Sequence, residues 1–161
     1  EEDDWFYPYV STLSQEGVID GYPDGTFRPE EMTELGAALK LCLLAAGYPE
    51  QTAVTDHWAS GYLYLAQAYG LLDEAAPDLD SAVSRLTIAH VAARALGLEE
   101  VYGVSPFADT DDGAVTALYQ AGILAGSYQN GVLVFRPDSG LTRAELTVIV
   151  WKLQSAARLN W

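Results

Sequence analysis

The sequence predicts an all-α fold made of three helix–loop–helix units, and an internal repeat is the first reason for that prediction. The stretch "GVIDGY" at Gly17 is similar to "GILAGSY" at Gly122, and "FRPEEMT" at Phe27 is similar to "FRPDSGLT" at Phe135. The spacing is regular, because Gly17 and Gly70 are 53 positions apart and Gly70 and Gly122 are 52 apart. We therefore predict units at 4–48, 56–98 and 107–154, of which the middle one is degenerate.

The first helix of each unit is predicted from an amphipathic pattern that ends at one of these glycines. In every unit two apolar residues stand seven and four positions before the glycine, which places both on one helical face. A glycine ends a helix readily, because it adopts the left-handed backbone conformation without a steric cost. The apolar pairs are Val10 and Leu13, Leu63 and Ala66, and Val115 and Leu118.

The second helix of each unit follows a loop and begins after a residue that commonly caps helices, namely Thr33, Ser84 or Thr142. The three stretches are "ELGAALKLCLLAAG", "RLTIAHVAARALG" and "RAELTVIVWKLQSAAR". All are apolar on most faces, which is typical of helices buried among neighbours. We therefore expect a central bundle of three second helices, with the first helices and the loops around it. In the third unit, Thr142 and Glu145 match a capping box.

The loops between the paired helices are predicted to be irregular segments or short hairpins. The first loop has acids or glycine at the first, fifth, sixth and twelfth positions of a calcium-binding loop: Asp20, Asp24, Gly25 and Glu31. The third position is Tyr22, which has no carboxylate, so we predict a turn there and no metal site. In the third loop, Asn130 and Gly131 followed by "VLVF" indicate a hairpin turn.

The composition restricts the classes of function. With 23 acidic and 8 basic residues the formal net charge is −15, which disfavours nucleic acids and anionic surfaces as partners. The single Cys42 excludes an intramolecular disulfide and a zinc site built on several cysteines. Its apolar surroundings indicate a core residue. No apolar run approaches the length of a membrane span, so we predict no membrane insertion.

Signals of enzymatic chemistry are weak. His57 and His90 belong to no metal-binding or catalytic spacing, and no G-x-S-x-G motif occurs. We therefore predict no enzyme activity, no catalytic residues and no cofactor. The chain begins with "EEDDWFYPYV", without an initiator Met or an apolar signal stretch, which predicts a mature or excised segment of a larger protein.

Three motifs together carry a resemblance to a known family. They are a Trp before the first helix, "DGYPDGTFRP" in the first unit, and Thr142-Arg143-Ala144-Glu145 in the third. The chain resembles the surface layer homology (SLH) family over nearly its whole length. The resemblance implies three lobes in a pseudo-threefold arrangement and an extracellular location at the bacterial cell wall. It also implies binding of a secondary cell-wall polysaccharide attached to peptidoglycan, often pyruvylated, in grooves between the lobes.

The resemblance implies that Arg143 contacts the acidic sugar, and Arg85 stands at the corresponding position of the second unit. A guanidinium can pair with a carboxylate through two hydrogen bonds, and the N–H groups at the start of a helix also favour anions. The first unit has Glu34 at this position, which predicts that its loop belongs to the unit least able to bind the usual ligand. The alternative interpretation is that these arginines only brace the loops.

Trp58, Trp5 and Tyr22 are the aromatic candidates for stacking on sugar rings, because such side chains combine an apolar face with a polar group. The alternative is that they pack within or between lobes. Two functions follow from these observations. The first is a wall-anchoring module that attaches an exported protein to the bacterial surface. The second is a degenerate module that serves as a structural or protein–protein interaction domain without glycan binding.

Overall fold

The computed structural model describes residues 3–159. Within this range the chain forms six α-helices and one short β-hairpin. The helices are α1 (Tyr7–Gln15), α2 (Leu35–Ala45), α3 (Ser60–Ala68), α4 (Arg85–Leu96), α5 (Gly113–Gln120) and α6 (Arg143–Leu159). The strands are β1 (Ser127–Gln129) and β2 (Val132–Val134). We call the connections within each predicted unit loop 1 (16–34), loop 2 (69–84) and loop 3 (121–142).

The prediction of an all-α fold is wrong, because loop 3 contains a two-stranded antiparallel sheet and the fold is mixed α/β. Ser127, Tyr128 and Gln129 pair with Val134, Leu133 and Val132. The physical cause is the turn: Asn130 and Gly131 have φ values of 51° and 77°, and two successive positive φ angles match the twist of a tight hairpin. Isolated bridges also join Met32 to Thr142, Glu34 to Ala82, and Ser84 to Gly140.

The centre of the fold is formed by α2, α4 and α6, which contact one another. Their inward faces carry large side chains that are essentially inaccessible to solvent, among them Leu39, Leu43, Ile88, Val91, Val150 and Leu153. Cys42 is fully buried in α2, and this burial raises the pKa of its thiol to about 12, so it behaves as an apolar core residue.

The outer helices pack across the boundaries of the predicted units. Helix α3 packs on α2, α5 packs on α4, and α1 packs on α6. The contact between α1 and α6 includes an edge-to-face arrangement of Tyr9 and Trp151, whose ring centroids are 5.3 Å apart. Each central helix is therefore covered by the first helix of the following predicted unit. The order is cyclic, because α1 of the first unit covers α6 of the third.

The helix ends agree with the sequence in most places. Gly17, Gly70 and Gly122 follow α1, α3 and α5 with φ between 69° and 76°, as predicted for residues that terminate helices. The Ser84 hydroxyl accepts a hydrogen bond from the Thr87 N–H. Thr142 and Glu145 form the predicted capping box, since the Glu145 N–H donates to the Thr142 hydroxyl and the Thr142 N–H donates to the Glu145 carboxylate.

The predicted cap at Thr33 is wrong. Helix α2 starts one residue later, after Glu34, and has no side-chain cap. The Thr33 hydroxyl is buried without a hydrogen-bond partner among the described residues. The cause is the register: Glu34 pairs with Ala82 as Ser84 pairs with Gly140 and Thr142 with Met32, so Glu34 occupies the cap position and Thr33 lies one residue before it.

The loops cap the central helices in a closed circle. The first N–H of each central helix donates to a carbonyl of a loop from another predicted unit at 2.8–2.9 Å: Leu35 to Ser81, Arg85 to Ser139, and Arg143 to Glu31. Thus loop 2 caps α2, loop 3 caps α4, and loop 1 caps α6. These helix-start N–H groups are satisfied within the protein, so they do not bind an anion as the sequence suggested. Ligand recognition must then depend mainly on side chains.

Candidate functional site

A groove lies where loop 1, α2, the segment before α3, and α6 meet. We call it the Arg143 groove and define it by Tyr22, Lys40, Trp58 and Arg143 together with residues 19–21. Its volume is about 260 Å³. Three of the five predicted binding residues, Arg143, Tyr22 and Trp58, therefore line one cavity although they lie far apart in the sequence.

Arg143 extends from the first turn of α6 over loop 1. Its Nε donates to the Phe27 carbonyl at 3.0 Å, and one terminal nitrogen donates to the Asp20 carbonyl at 3.4 Å. The guanidinium carbon is 4.8 Å from the centre of the Tyr22 ring. A guanidinium has five N–H donors, so three remain, and among the described residues no carboxylate forms an ion pair with Arg143. Arg143 thus braces the loop and keeps donors available.

Tyr22 serves to position the arginines. The Arg28 guanidinium lies 3.7 Å from its ring centre, and the Arg143 guanidinium lies over the same ring. The hydroxyl donates to Glu31 at 2.9 Å. Burial and this hydrogen bond raise the pKa of Tyr22, which keeps the phenol protonated. Because its ring already contacts two guanidinium groups, Tyr22 is better suited to hold Arg143 than to stack on a sugar.

Trp58 forms the opposite wall of the groove and is 49% exposed. Its ring is stacked on His57, with the ring centres 5.8 Å apart. His57 Nδ1 accepts a hydrogen bond from the Ala59 N–H at 3.0 Å, so in the neutral ring Nε2 carries the proton and donates to Asp80 at 2.8 Å. The imidazole is therefore fixed at both nitrogens and supports the exposed indole.

Sequence reasoning missed Lys40, which lines the Arg143 groove from α2. Its Nζ lies 3.7 Å from the carboxylate of Asp20, which is largely exposed. The available signal was a single cationic residue within the otherwise apolar stretch "LGAALKLCLLA". Glu34 is exposed and also lines this groove, so Lys40 and Arg143 face two acids, Asp20 and Glu34.

The acids of loop 1 build the turn itself. Hydrogen bonds from the Thr26 hydroxyl and backbone, together with Arg28, lower the pKa of Asp24 to about 2. Arg28 also pairs with Glu31 at 3.5 Å. Among residues 3–159, no group of three or more His, Cys, Asp or Glu side chains is arranged to hold a metal ion.

A second groove of about 230 Å³ lies between loop 3 and α6, and we call it the Arg85 groove. It is lined by Trp5, Arg85, Arg136, Glu145 and Lys152 and by residues 123–127. The remaining two predicted binding residues, Arg85 and Trp5, are therefore separated from the other three and lie together here.

Arg85 is an internal clamp. Its side chain is only 9% exposed, its Nε donates to the Phe135 carbonyl at 2.8 Å, and a terminal nitrogen donates to Glu145 at 2.9 Å. Burial lowers the pKa of Arg85, and the Glu145 carboxylate opposes that effect. The charge of Arg85 is therefore compensated within the protein, in contrast to that of Arg143.

The difference between the two arginines follows from one sequence position. Glu145 stands three residues after Thr142, the cap residue of α6, and the residue three positions after Glu34, the cap residue of α2, is Ala37, which lines the Arg143 groove. The carboxylate that pairs with Arg85 thus has no counterpart opposite Arg143. The expectation that the first unit is least able to bind stays a prediction, but the structure shows that each motif Arg reaches the loop of the next unit. Loop 1 receives Arg143.

The corresponding region of loop 2 has a different character. Its cavity is lined by Asp73, Thr87, His90 and Arg94, among others, and it contains no tryptophan. Arg94 pairs with Asp73 at 3.0 Å, and His90 hydrogen-bonds at 2.7 Å to the carboxylate of Asp112, the residue that caps α5. Asp73, His90 and Arg94 therefore each have a partner within the protein.

The helices form a closed circle with grooves between neighbouring loops, and ligands commonly bind in concave sites of this kind. The S-layer homology domain family model matches residues 1–33 and 104–147. This match is consistent with an S-layer homology domain protein, the family that the motifs predicted. The matched segments contain most of loop 1 and the start of α6, which supply Tyr22 and Arg143. Residues 34–103 lie outside the match, so the count of three repeats stays a prediction.

An uncharacterized cell wall amidase of Bacillus anthracis is 32% identical over 75 residues. The aligned part covers 42% of this chain, and the chain spans only 14% of that relative's length. The family indicates association with the cell wall or cell surface through a binding domain that is not itself catalytic. Within residues 3–159, no helix is both long enough and apolar enough to cross a membrane.

Proposed function

We propose that this chain is a wall-anchoring module whose Arg143 groove binds an acidic sugar of a secondary cell-wall polysaccharide. On this proposal it is non-catalytic and attaches an exported protein to the bacterial surface. The observation that supports it most is the guanidinium of Arg143, which forms no ion pair among the described residues and lies with Lys40 and Trp58 around one cavity.

The charge of the site supports an anionic ligand despite the net charge of −15. Arg143 offers three unused N–H donors, and its fork can pair bidentately with a carboxylate such as that of a pyruvyl ketal. Lys40 adds a second cation. Since Asp20 and Glu34 also line the groove, the local charges balance, which fits a ligand with one carboxylate better than a highly charged one.

The size and the wall of the groove support a carbohydrate. A volume of about 260 Å³ is below the roughly 300–1,000 Å³ of pockets that enclose drug-sized ligands, so it suits one sugar residue of a longer polymer. The exposed face of Trp58 can pack against the apolar face of that ring. The adjacent His57 holds this indole in place before a ligand arrives, which lowers the entropic cost of binding.

Co-sedimentation with purified wall sacculi tests this proposal. We expect the full chain to pellet with sacculi that retain their secondary polymer and to stay in the supernatant with sacculi stripped of it. Mild acid treatment that removes pyruvyl groups but leaves the polymer should weaken binding by about tenfold or more, because it deletes the partner of Arg143. Equal pelleting with all three preparations, or with none, would contradict the proposal and favour a structural or protein-binding role.

A further inference from the structure

We propose that the Arg85 groove is a second anion site of different chemistry, which takes a phosphate ester rather than a sugar carboxylate. The residues that would contact it are Arg136 and Lys152, neither of which is part of the proposed carboxylate site. This inference goes beyond the proposed function, because it concerns another groove and another class of ligand.

Charge is concentrated in this groove. The chain has only eight Lys and Arg residues, and three of them, Arg85, Arg136 and Lys152, line this one cavity. The acid in its lining is Glu145, which is already paired with Arg85 at 2.9 Å. Two positive charges, those of Arg136 and Lys152, therefore remain uncompensated by the groove's own acid. The Arg143 groove, by contrast, has two cations and two acids.

Within the described part of the chain, Arg136 does not form the two ion pairs that Arg28 forms, and its charge interacts instead with the carboxylate of Asp109. Both stand in the same "FRP" motif, and both have positive φ angles, 61° and 54°. Arg28 pairs with Asp24, four residues before it, and with Glu31, three residues after it. The corresponding positions around Arg136 are Val132 and Ser139, which carry no charge.

The side chain of Arg136 is left with an unused buried donor. Its Nε is buried and has no hydrogen-bond partner among the described residues. A buried N–H without an acceptor is costly, so an acceptor that reached this group after a shift of the side chain would stabilise it. A further acid, Asp109, accepts hydrogen bonds from the backbone N–H groups of Phe135 and Arg136 at 2.9 and 2.8 Å. Its two oxygens thus hold the left-handed backbone of Arg136, and Asp109 does not line the groove.

These features favour a phosphate over a carboxylate. A phosphate monoester carries close to two negative charges at neutral pH and has three strongly accepting oxygens, whereas a carboxylate carries one charge and has two. The two cations of the groove that Glu145 does not pair, Arg136 and Lys152, match the phosphate better. The groove also contains Trp5, which is 61% exposed and can cover the apolar part of an esterified sugar or polyol. Phosphate carried on a wall polymer and free phosphate share this chemistry.

Isothermal titration of the full chain with glycerol phosphate, inorganic phosphate and acetate tests the proposal. We expect glycerol phosphate to bind at least as well as inorganic phosphate, and acetate about tenfold more weakly than either. Preference for inorganic phosphate alone would identify a free-ion site and contradict binding of an ester. Acetate binding as tight as that of the phosphates would contradict a phosphate site altogether.

Matched variants test which residues contact the ligand. Arg136→Gln should weaken glycerol phosphate binding by about tenfold or more, and Lys152→Met by a smaller factor, whereas Arg28→Gln should leave it unchanged. Because Gln meets the same positive-φ strain at both positions, the pair of variants separates ligand contact from backbone effects. Equal losses in Arg28→Gln and Arg136→Gln, or no loss in Arg136→Gln and Lys152→Met, would overturn the proposal.

Arg143→Lys should leave phosphate binding intact, so failure of the proposed wall anchoring is distinguishable from failure of this site.

Discussion

Arg143→Lys is expected to weaken binding to polymer-bearing sacculi by roughly ten- to a hundredfold, as measured by co-sedimentation over a range of sacculus concentrations. Lysine keeps the positive charge but cannot form two parallel hydrogen bonds to a carboxylate. It also loses the Nε contact to the Phe27 carbonyl and the planar stacking on Tyr22, so the remaining cation is held less precisely.

The control for this variant is Arg94→Lys, which makes the same chemical change at an Arg that is paired with Asp73 outside both grooves. It should bind as the unchanged protein does. The unfolding free energy of Arg143→Lys should fall by only about 1 kcal/mol, the usual contribution of one hydrogen bond. If Arg143→Lys retained full sacculus binding, or if Arg94→Lys lost as much, Arg143 would be a brace for loop 1 and not a ligand contact.

Glu145→Gln is expected to lower the free energy of unfolding by about 2–4 kcal/mol, because it leaves the buried guanidinium of Arg85 without its counter-ion. It also weakens the capping box with Thr142 at the start of α6. For a chain of this size the loss corresponds to a decrease of roughly 5–15 °C in the melting temperature. Calorimetric or circular dichroism melts measure this directly.

Glu99→Gln is the matched control, since Glu99 is exposed and its removal should change stability by less than about 0.5 kcal/mol. A double variant, Arg85→Met with Glu145→Gln, removes both charges. Its destabilisation should be smaller than the sum of the two single changes, because no uncompensated charge remains. If Glu145→Gln lowered the free energy of unfolding no more than Glu99→Gln does, the ion pair of Arg85 and Glu145 would contribute little to stability, and the buried Arg85 would not need this counter-ion.

Local features of the fold were predictable because they depend on neighbouring residues. The helix-ending glycines Gly17, Gly70 and Gly122, and the capping box at Thr142, follow from backbone preferences that are written into short stretches. The error of an all-α assignment arose at Asn130, where a recognised turn signal produces paired strands and not only an irregular loop.

The arrangement of the sites was harder to predict, because it depends on which unit contacts which. The motif showed that Arg143 and Arg85 occupy equivalent positions, but only the closed circle of helices shows that each reaches the next unit's loop. The lack of an acid at Ala37 was visible in the sequence. Its consequence, a guanidinium without an internal carboxylate, required knowing that α2 stands next to Arg143.

The most direct test of the central claim, that the Arg143 groove is the polysaccharide site, is nuclear magnetic resonance of the ¹⁵N-labelled full chain titrated with purified fragments of the secondary wall polymer. The account predicts saturable shifts of the Arg143 Nε–H and Trp58 indole N–H signals, assigned from the Arg143→Lys and Trp58→Phe spectra. The signals of Arg94 and Trp151, which lie outside the lining of this groove, should stay in place. Shifts confined to Arg94 and Trp151, or no shifts at fragment concentrations that saturate sacculus binding, would contradict it.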